Sequence, residues 1–341
     1  MVAPTFDTGH SDMIHDVAVD YYGRRVATAS SDRLVKVFEL SGDARTHTAD
    51  LAGHAGPVRG ARTRSGALAA AAARSSRSAP KGFLCSRFAL RRPVSIQVWS
   101  VSWAHPKFGH LIASCSFDAR VIVWKEGDGG AWANVYASPD GLHGASINSV
   151  AWAPHELGLV LACGSSDGGF SVLTHDGARF VASKVERAHL LGVTGVSWAP
   201  AAPPGSLVTP AAGAALVRRL STCGCDGLVK LWGFDDRSSS WAVEHTLAGH
   251  TDWVRDVAWA PNLGMPKNTV ASCGQDGKVL IWTQAKPGGG WSSALLADFK
   301  APVWRVSWSV FGGMLAVSEA TRVTLWKEGP DSVWTQVAAP E

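Results

Sequence analysis

Nothing in the 341-residue chain reads as a membrane span, because no apolar run approaches the roughly 18–20 residues that a transmembrane helix needs. The N-terminus, MVAPTFDTGHSDM, has no basic stretch followed by an apolar one, so a secretory signal is not expected. The six cysteines show no Cys-x-x-Cys or zinc-ligand spacing. Five of them, Cys115, Cys163, Cys223, Cys225 and Cys273, lie one to four residues before an aspartate in apolar segments. They read as small buried residues in a reducing compartment, not as a disulfide framework. Also missing are the phosphate loop GxxxxGK[ST], HExxH, GxSxG and an EF-hand loop. No catalytic, metal or cofactor-binding residue is expected, and the chain does not read as an enzyme. His105-Pro106 and His155-Glu156 follow matching apolar segments and read as turn residues.

One segment lacks acid altogether. Residues 58–97 carry nine basic residues (Arg59, Arg62, Arg64, Arg74, Arg77, Lys81, Arg87, Arg91, Arg92) and no Asp or Glu. Taking those nine charges from the net +4 leaves the rest of the chain at −5, which makes no case for nucleic-acid binding by the body.

What is abundant is tryptophan, 16 in all, and glycine, 36. With 46% hydrophobic residues there is material for a sizeable core. The tryptophans recur because the chain repeats. Five segments place an Asp six residues before an aromatic or its substitute: SSDRLVKVF, SFDARVIVW, SSDGGFSVL, GCDGLVKLW and GQDGKVLIW. A sixth, SEATRVTLW, has Ala320 at the Asp position. Upstream of five units stands a histidine: His10, His54, His143, His189 or His250. Between lie IHDVAVD, VWSVSWA, INSVAWA, VTGVSWA, VRDVAWA and VWRVSWS, whose alternation is that of a half-buried strand.

Each unit therefore reads as four short antiparallel strands, and the chain as all-β: a six-bladed propeller resembling the WD-repeat family. In that family the His, a Ser or Thr four residues before the Asp, the Asp and the Trp form one hydrogen-bonded network within a blade. Three units resemble the full set: His54, Ser114, Asp118, Trp124; His189, Thr222, Asp226, Trp232; and His250, Ser272, Asp276, Trp282. The first has Phe38 for Trp, and the third has Cys163 and Leu173. A buried indole N–H, imidazole and carboxylate each need a partner, so the role is structural.

Repeat ends fall at 38, 124, 173, 232, 282 and 326, against about 40–45 residues per blade. The Pro/Ala/Gly-rich stretch 199–219 reads as a surface loop of the fourth unit. Removing residues 58–97 restores an uninterrupted blade entry, LAGHAGPVWSVSWAHP. The segment begins with Val58, whose codons start GT, and ends with Gln97, for which CAG is a codon. It reads as a disordered insertion or a translated intron. A basic phosphate-binding loop is the competing reading, and a transit peptide is disfavoured by its internal position.

Blade 1 starts on its own first strand and blade 6 ends on its own fourth, SVWTQVA, so a ring without a strand-exchange clasp is expected. Only Val2–Phe6 could add a short strand. Such a ring exposes faces and strand edges that invite addition from another chain.

The resemblance narrows further on DMIHDVAVDYYGRRVATASSDRLVKVFEL, VWSVSWAHPKFGHLIASCSFDARVIVWKE, DWVRDVAWAPNLGMPKNTVASCGQDGKVLIWT and VWRVSWSVFGGMLAVS. These are similar to the WD-repeat family that supplies the small subunit of the COPII outer vesicle coat and a scaffold nucleoporin. That resemblance implies an open propeller completed in trans by a seventh blade. The donor would be a large coat subunit of the Sec thirty-one type or a scaffold nucleoporin of the Nup-ninety-six type. It implies ER-to-Golgi transport and a nuclear pore role, a cytoplasmic location at ER exit sites and vesicles, and membrane association only through the coat. Neither a cofactor nor direct nucleic-acid binding is implied. SEATRV departs from the family's S-G-G-D-N-x-V by a shorter turn without its Asp.

From strand order, partner docking is expected on Ile14, Val17, Val35, Val37, Val303, Val306, Val323 and Leu325. The alternative function is a peptide-reading adaptor, a ubiquitin-ligase substrate receptor or chromatin reader. The receptors' Trp-Asp-x-Arg motif is absent, since the corresponding positions read WKEG, WGFD and WTQA.

Overall fold

The computed structural model describes residues 6–42, 44–54, 97–202, 216–261, 267–319, 322–329, 331 and 333–337. The basic segment therefore lies outside the described residues, apart from Gln97, as does Ala320. Of the stretch 199–219, residues 203–215 also lie outside. Among the described residues of that stretch Ala199 and Ala201 are buried, Arg218 is exposed, and Arg219 opens a strand.

The described chain forms six four-stranded antiparallel sheets, each from four consecutive strands. Blade 1 is β1 (Ile14–Val19), β2 (Arg25–Ser30), β3 (Leu34–Ser41) and β4 (Ala44–Ala52). Blade 2 is β5 (Val98–Trp103), β6 (Leu111–Ser116), β7 (Val121–Glu126) and β8 (Trp132–Ala137). Blade 3 is β9 (Ile147–Trp152), β10 (Val160–Ser165), β11 (Phe170–His175) and β12 (Phe180–Val185). Blade 4 is β13 (Val193–Trp198), β14 (Arg219–Gly224), β15 (Leu228–Asp235) and β16 (Ser240–Ala248). Blade 5 is β17 (Val254–Trp259), β18 (Asn268–Gly274), β19 (Lys278–Gln284) and β20 (Ser292–Asp298). Blade 6 is β21 (Val303–Trp308), β22 (Met314–Glu319), β23 (Val323–Glu328) and β24 (Trp334–Val337).

The second and third strands are apolar because they are covered on both sides; all six residues of β6 and of β10 are buried. The outer strands alternate toward solvent, as β16 does. Cores lie between blades. Ala27, Val35 and Val37 of blade 1 pack with Val98, Val101 and Ile122 of blade 2, and the pattern repeats through to blades 5 and 6. The innermost strands β1, β5, β9, β13, β17 and β21 pack side by side in that order.

Four outer-strand tryptophans meet the inner-strand tryptophan of their own blade. The pairs are Trp132–Trp103, Trp241–Trp198, Trp291–Trp259 and Trp334–Trp308, with centroids 5.7–5.9 Å apart. Cys115, Cys163, Cys223 and Cys273 are buried free thiols, with burial pushing each pKa up. Cys225 is only half-buried, because it stands in the turn after β14, not in the ladder. His105 and His155 flank or open short 3₁₀ turns and stack at 4.1 Å.

Candidate partner-docking site

The repeated polar network is a hydrogen-bonded staple inside blades 1 to 5. In blade 2, His54 Nδ1 lies 3.0 Å from Asp118 Oδ2 and Nε2 lies 2.9 Å from Ser114 Oγ, while Trp124 Nε1 donates to the same hydroxyl at 3.0 Å. Blades 4 and 5 repeat the arrangement with Thr222 and Ser272 as the shared hydroxyls. Burial lowers the pKa of His189 and His250, favouring the neutral imidazole. Burial is the largest influence on Asp226 and opposes its ionisation, but the interactions with His189 and the backbone N–H groups of Leu228 and Leu190 together outweigh it and leave the carboxyl below its usual value. The glycine of the Gly-His pair admits the indole. A Cβ on Gly53 would lie 2.6 Å from Trp124, and one on Gly249 would lie 2.9 Å from Trp282.

Two blades reach the same end by other residues. In blade 1 His10 bridges Asp32 and Thr28 at 2.7 Å each, and the rings of Phe38 and Phe6 stand edge to face at 5.3 Å. In blade 3 the hydroxyl missing at Cys163 is supplied by Ser171, 2.9 Å from His143 Nε2. Ser171 is the cross-strand partner of Cys163, so the hydroxyl has moved one strand over. In blade 6 Trp326 Nε1 donates to Thr324 Oγ1 of its own strand.

Each network serves the interior of a blade. The seams between blades are a separate matter, and one of them is unlike the rest. Position four of the innermost strand is Val101, Val150, Val196, Val257 and Val306 in blades 2 to 6, with exposures of 2–6%. In blade 1 it is Val17, exposed to 56%. Position one is fully buried in Val98, Ile147, Val193, Val254 and Val303, but Ile14 is 37% exposed. On the third strand Val35, Val121, Phe170, Val229 and Val279 are fully buried, while Val323 in the same place is 64% exposed. Their registers match, because Ala29 pairs with Val35 as Ser318 pairs with Val323.

Among the described residues, then, no core covers the leading face of blade 1 or the trailing face of blade 6. This divides the eight residues expected at a partner interface. Ile14, Val17 and Val323 are exposed and Leu325 is half-buried. Val35 and Val37 are buried against blade 2, and Val303 and Val306 against blade 5. These four lie on the other face of their sheets, since each blade packs its first strand on one neighbour and its third strand on the other.

The chain also matches known proteins. The family model described as WD domain, G-beta repeat, covers residues 4–39, 93–125 and 241–283. "Protein transport protein SEC13" of Mycosarcoma maydis is 40% identical, over 97% of this chain and 93% of its own length. The chain belongs to the SEC13 family. "Protein transport protein sec13" of Emericella nidulans is 41% identical over 97% of this chain and 96% of its own length. "Protein SEC13 homolog" of Drosophila melanogaster is 40% identical over 97% of this chain and 82% of its own length. The SEC13 relatives are named for protein transport. No helix among the described residues is long and apolar enough to cross a membrane.

Proposed function

We propose that the chain is a structural scaffold subunit of the COPII vesicle coat in ER-to-Golgi transport and of the nuclear pore outer ring. It binds a large partner that inserts a seventh blade between blades 6 and 1. Its role is mechanical, not catalytic, and it meets membrane only through the coat. The partners are a large coat subunit of the Sec thirty-one type and a scaffold nucleoporin of the Nup-ninety-six type.

The observation that carries this reading is the pair of uncovered faces. The positions of Val17 and Val323 are covered at every other seam, and a four-stranded blade is the element that covers them there. Burial of both faces against one inserted blade would recover roughly 25 cal/mol per Å² of apolar area, against the ordering cost of association.

The test is association of the purified full-length chain with the large coat subunit, followed by light scattering. A stoichiometric complex is expected, and it is lost in Val17→Arg and Val323→Arg variants whose melting temperatures stay near wild type. Unchanged binding by both variants would overturn the insertion, and no complex with either partner type would favour the adaptor reading.

A further inference from the structure

Two stitches recur at the central bore, the first at three of the five closed seams and the second at four. The seam between blades 4 and 5, with Gly195 at position three and no partner on Trp259 Nε1 among the described residues, has neither. In the first, a side chain at position three of an innermost strand accepts the position-four N–H of the next blade. Asp16 accepts from Val101 at 3.0 Å, Ser149 from Val196 at 3.3 Å, and Asp256 from Val306 at 3.1 Å. In the second, the tryptophan ending an innermost strand donates its indole N–H back to the position-five carbonyl of the preceding blade. Trp103 donates to Ala18, Trp152 to Ser102, Trp198 to Ala151, and Trp308 to Ala258, all at 2.9–3.1 Å. A bulge between positions one and three recurs in all six innermost strands.

At the sixth seam the first stitch is reversed from acceptor to donor and the second has no side-chain donor. Position three of blade 6 is Arg305, a donor that has no lone pair to offer a neighbouring N–H. The end of β1 is Val19, whose side chain has no N–H to reach back to Ser307. Arg305 crosses the seam instead, its Nη2 lying 3.6 Å from Asp16 Oδ2. The guanidinium is about two-fifths exposed in the bore, and Asp256 of blade 5 also faces that bore.

Resting on the inserted-blade reading, we infer that Arg305 is the recognition point for the partner's innermost strand and that Asp16 holds it in reserve while the seam is empty. The occupant is a β-blade of a partner chain. Its innermost strand carries a carboxylate or other acceptor side chain facing Arg305, and it ends in a tryptophan that donates to the Ser307 carbonyl. Charge complementarity supports this occupant over a second copy of the chain, whose equivalent strand would bring Arg305 against Arg305. The incoming acceptor takes the place of Asp16, so insertion exchanges one ion pair for another and the desolvation of Arg305 is compensated on both sides of the event.

The two charges of the pair then have opposite effects on binding, which a merely structural ion pair would not show. The probe is the full-length large coat subunit, titrated into wild type, Arg305→Met, Arg305→Lys and Asp16→Asn. Asparagine still accepts from the Val101 N–H, so seam 1–2 is kept. Arg305→Met is expected to weaken binding at least tenfold, Arg305→Lys less than threefold, and Asp16→Asn to tighten it about three- to tenfold. Hydrogen exchange at Arg305 and along β1 of the free Asp16→Asn chain is expected to rise. Unchanged affinity in Arg305→Met, or unchanged or weaker binding in Asp16→Asn, would overturn the inference while leaving insertion standing. Absence of wild-type binding would instead overturn the reading it rests on.

Discussion

Val101 and Val17 hold the same position on the innermost strands of adjacent blades, yet one is 4% exposed and the other 56%. Val101 sits against Val35 and Val37 of blade 1, while Val17 faces the seam with blade 6, where no described residue covers it. Local structure is the same in both, since each pairs with a second strand after a bulge. The difference is therefore one of neighbours, not of strand propensity. A propeller blade is stable as a slice of a stack, and each end slice has one face that no described residue covers. Blades 5 and 6 make the same point from inside. Blade 5 has the whole His250, Ser272, Asp276, Trp282 staple, whereas the blade 6 indole bonds only within its own strand.

The comparison sharpens or breaks on stability measurements. The largest effect is expected for Trp282→Ala, about 4 kcal/mol, because the buried indole also anchors Ser272. Trp326→Ala in half-buried surroundings is expected to cost about half as much, and equal losses in urea melts would erase the distinction between the blades.

Next in size is a pH effect at the complete seam. Burial pushes the Asp256 carboxyl up to about 6, above its usual 3.8. The unfolded chain thus loses its proton first as pH rises, so the contribution of Asp256 is fully present below the unfolded value and lost as pH climbs through about 6. Asp256→Asn, whose amide oxygen still accepts from Val306, is expected to be more stable than wild type by about 2 kcal/mol at pH 8 and equal to it near pH 3.5. Thermal melts at the two pH values check this, and a gain of the same size at both would sink it.

Val101→Ala is expected to cost about 2 kcal/mol in the free chain and Val17→Ala under about 0.5. In complex with the large subunit the cost of Val17→Ala is expected to rise toward that of Val101→Ala.

A last effect, small and of opposite sign, concerns the turn between second and third strands. Blades 3, 4 and 5 place Gly168, Gly227 and Gly277 at positive φ, where blades 1 and 2 carry Arg33 at 74° and Ala119 at 62°. Ala119→Gly is expected to stabilise by about 0.5–1 kcal/mol, and a loss in the same melt would show that another contact holds this turn.

The repeat could be read directly. Strand alternation, the six-residue step from Asp to aromatic and the recurring Gly-His pair placed all six blades, because each is a local pattern with one physical solution. The three full staples were legible for the same reason, as was the need for their partners. Ser171 was not, since it is adjacent to Cys163 only across a ladder. Nor could strand order alone say which face of a sheet is free. It assigned Val35 and Val303 to the same role as Val323, though the first two are fully buried against neighbouring blades.

The sequence by itself thus determined the number of blades, their strand order and the three full internal staples. Tertiary structure alone decided which residues the open seam exposes, and that Arg305 crosses it to Asp16. The reason is physical. Period and spacing specify which side of a strand is apolar, but coverage depends on which other sheet lies within van der Waals reach, and that is a property of the assembled ring.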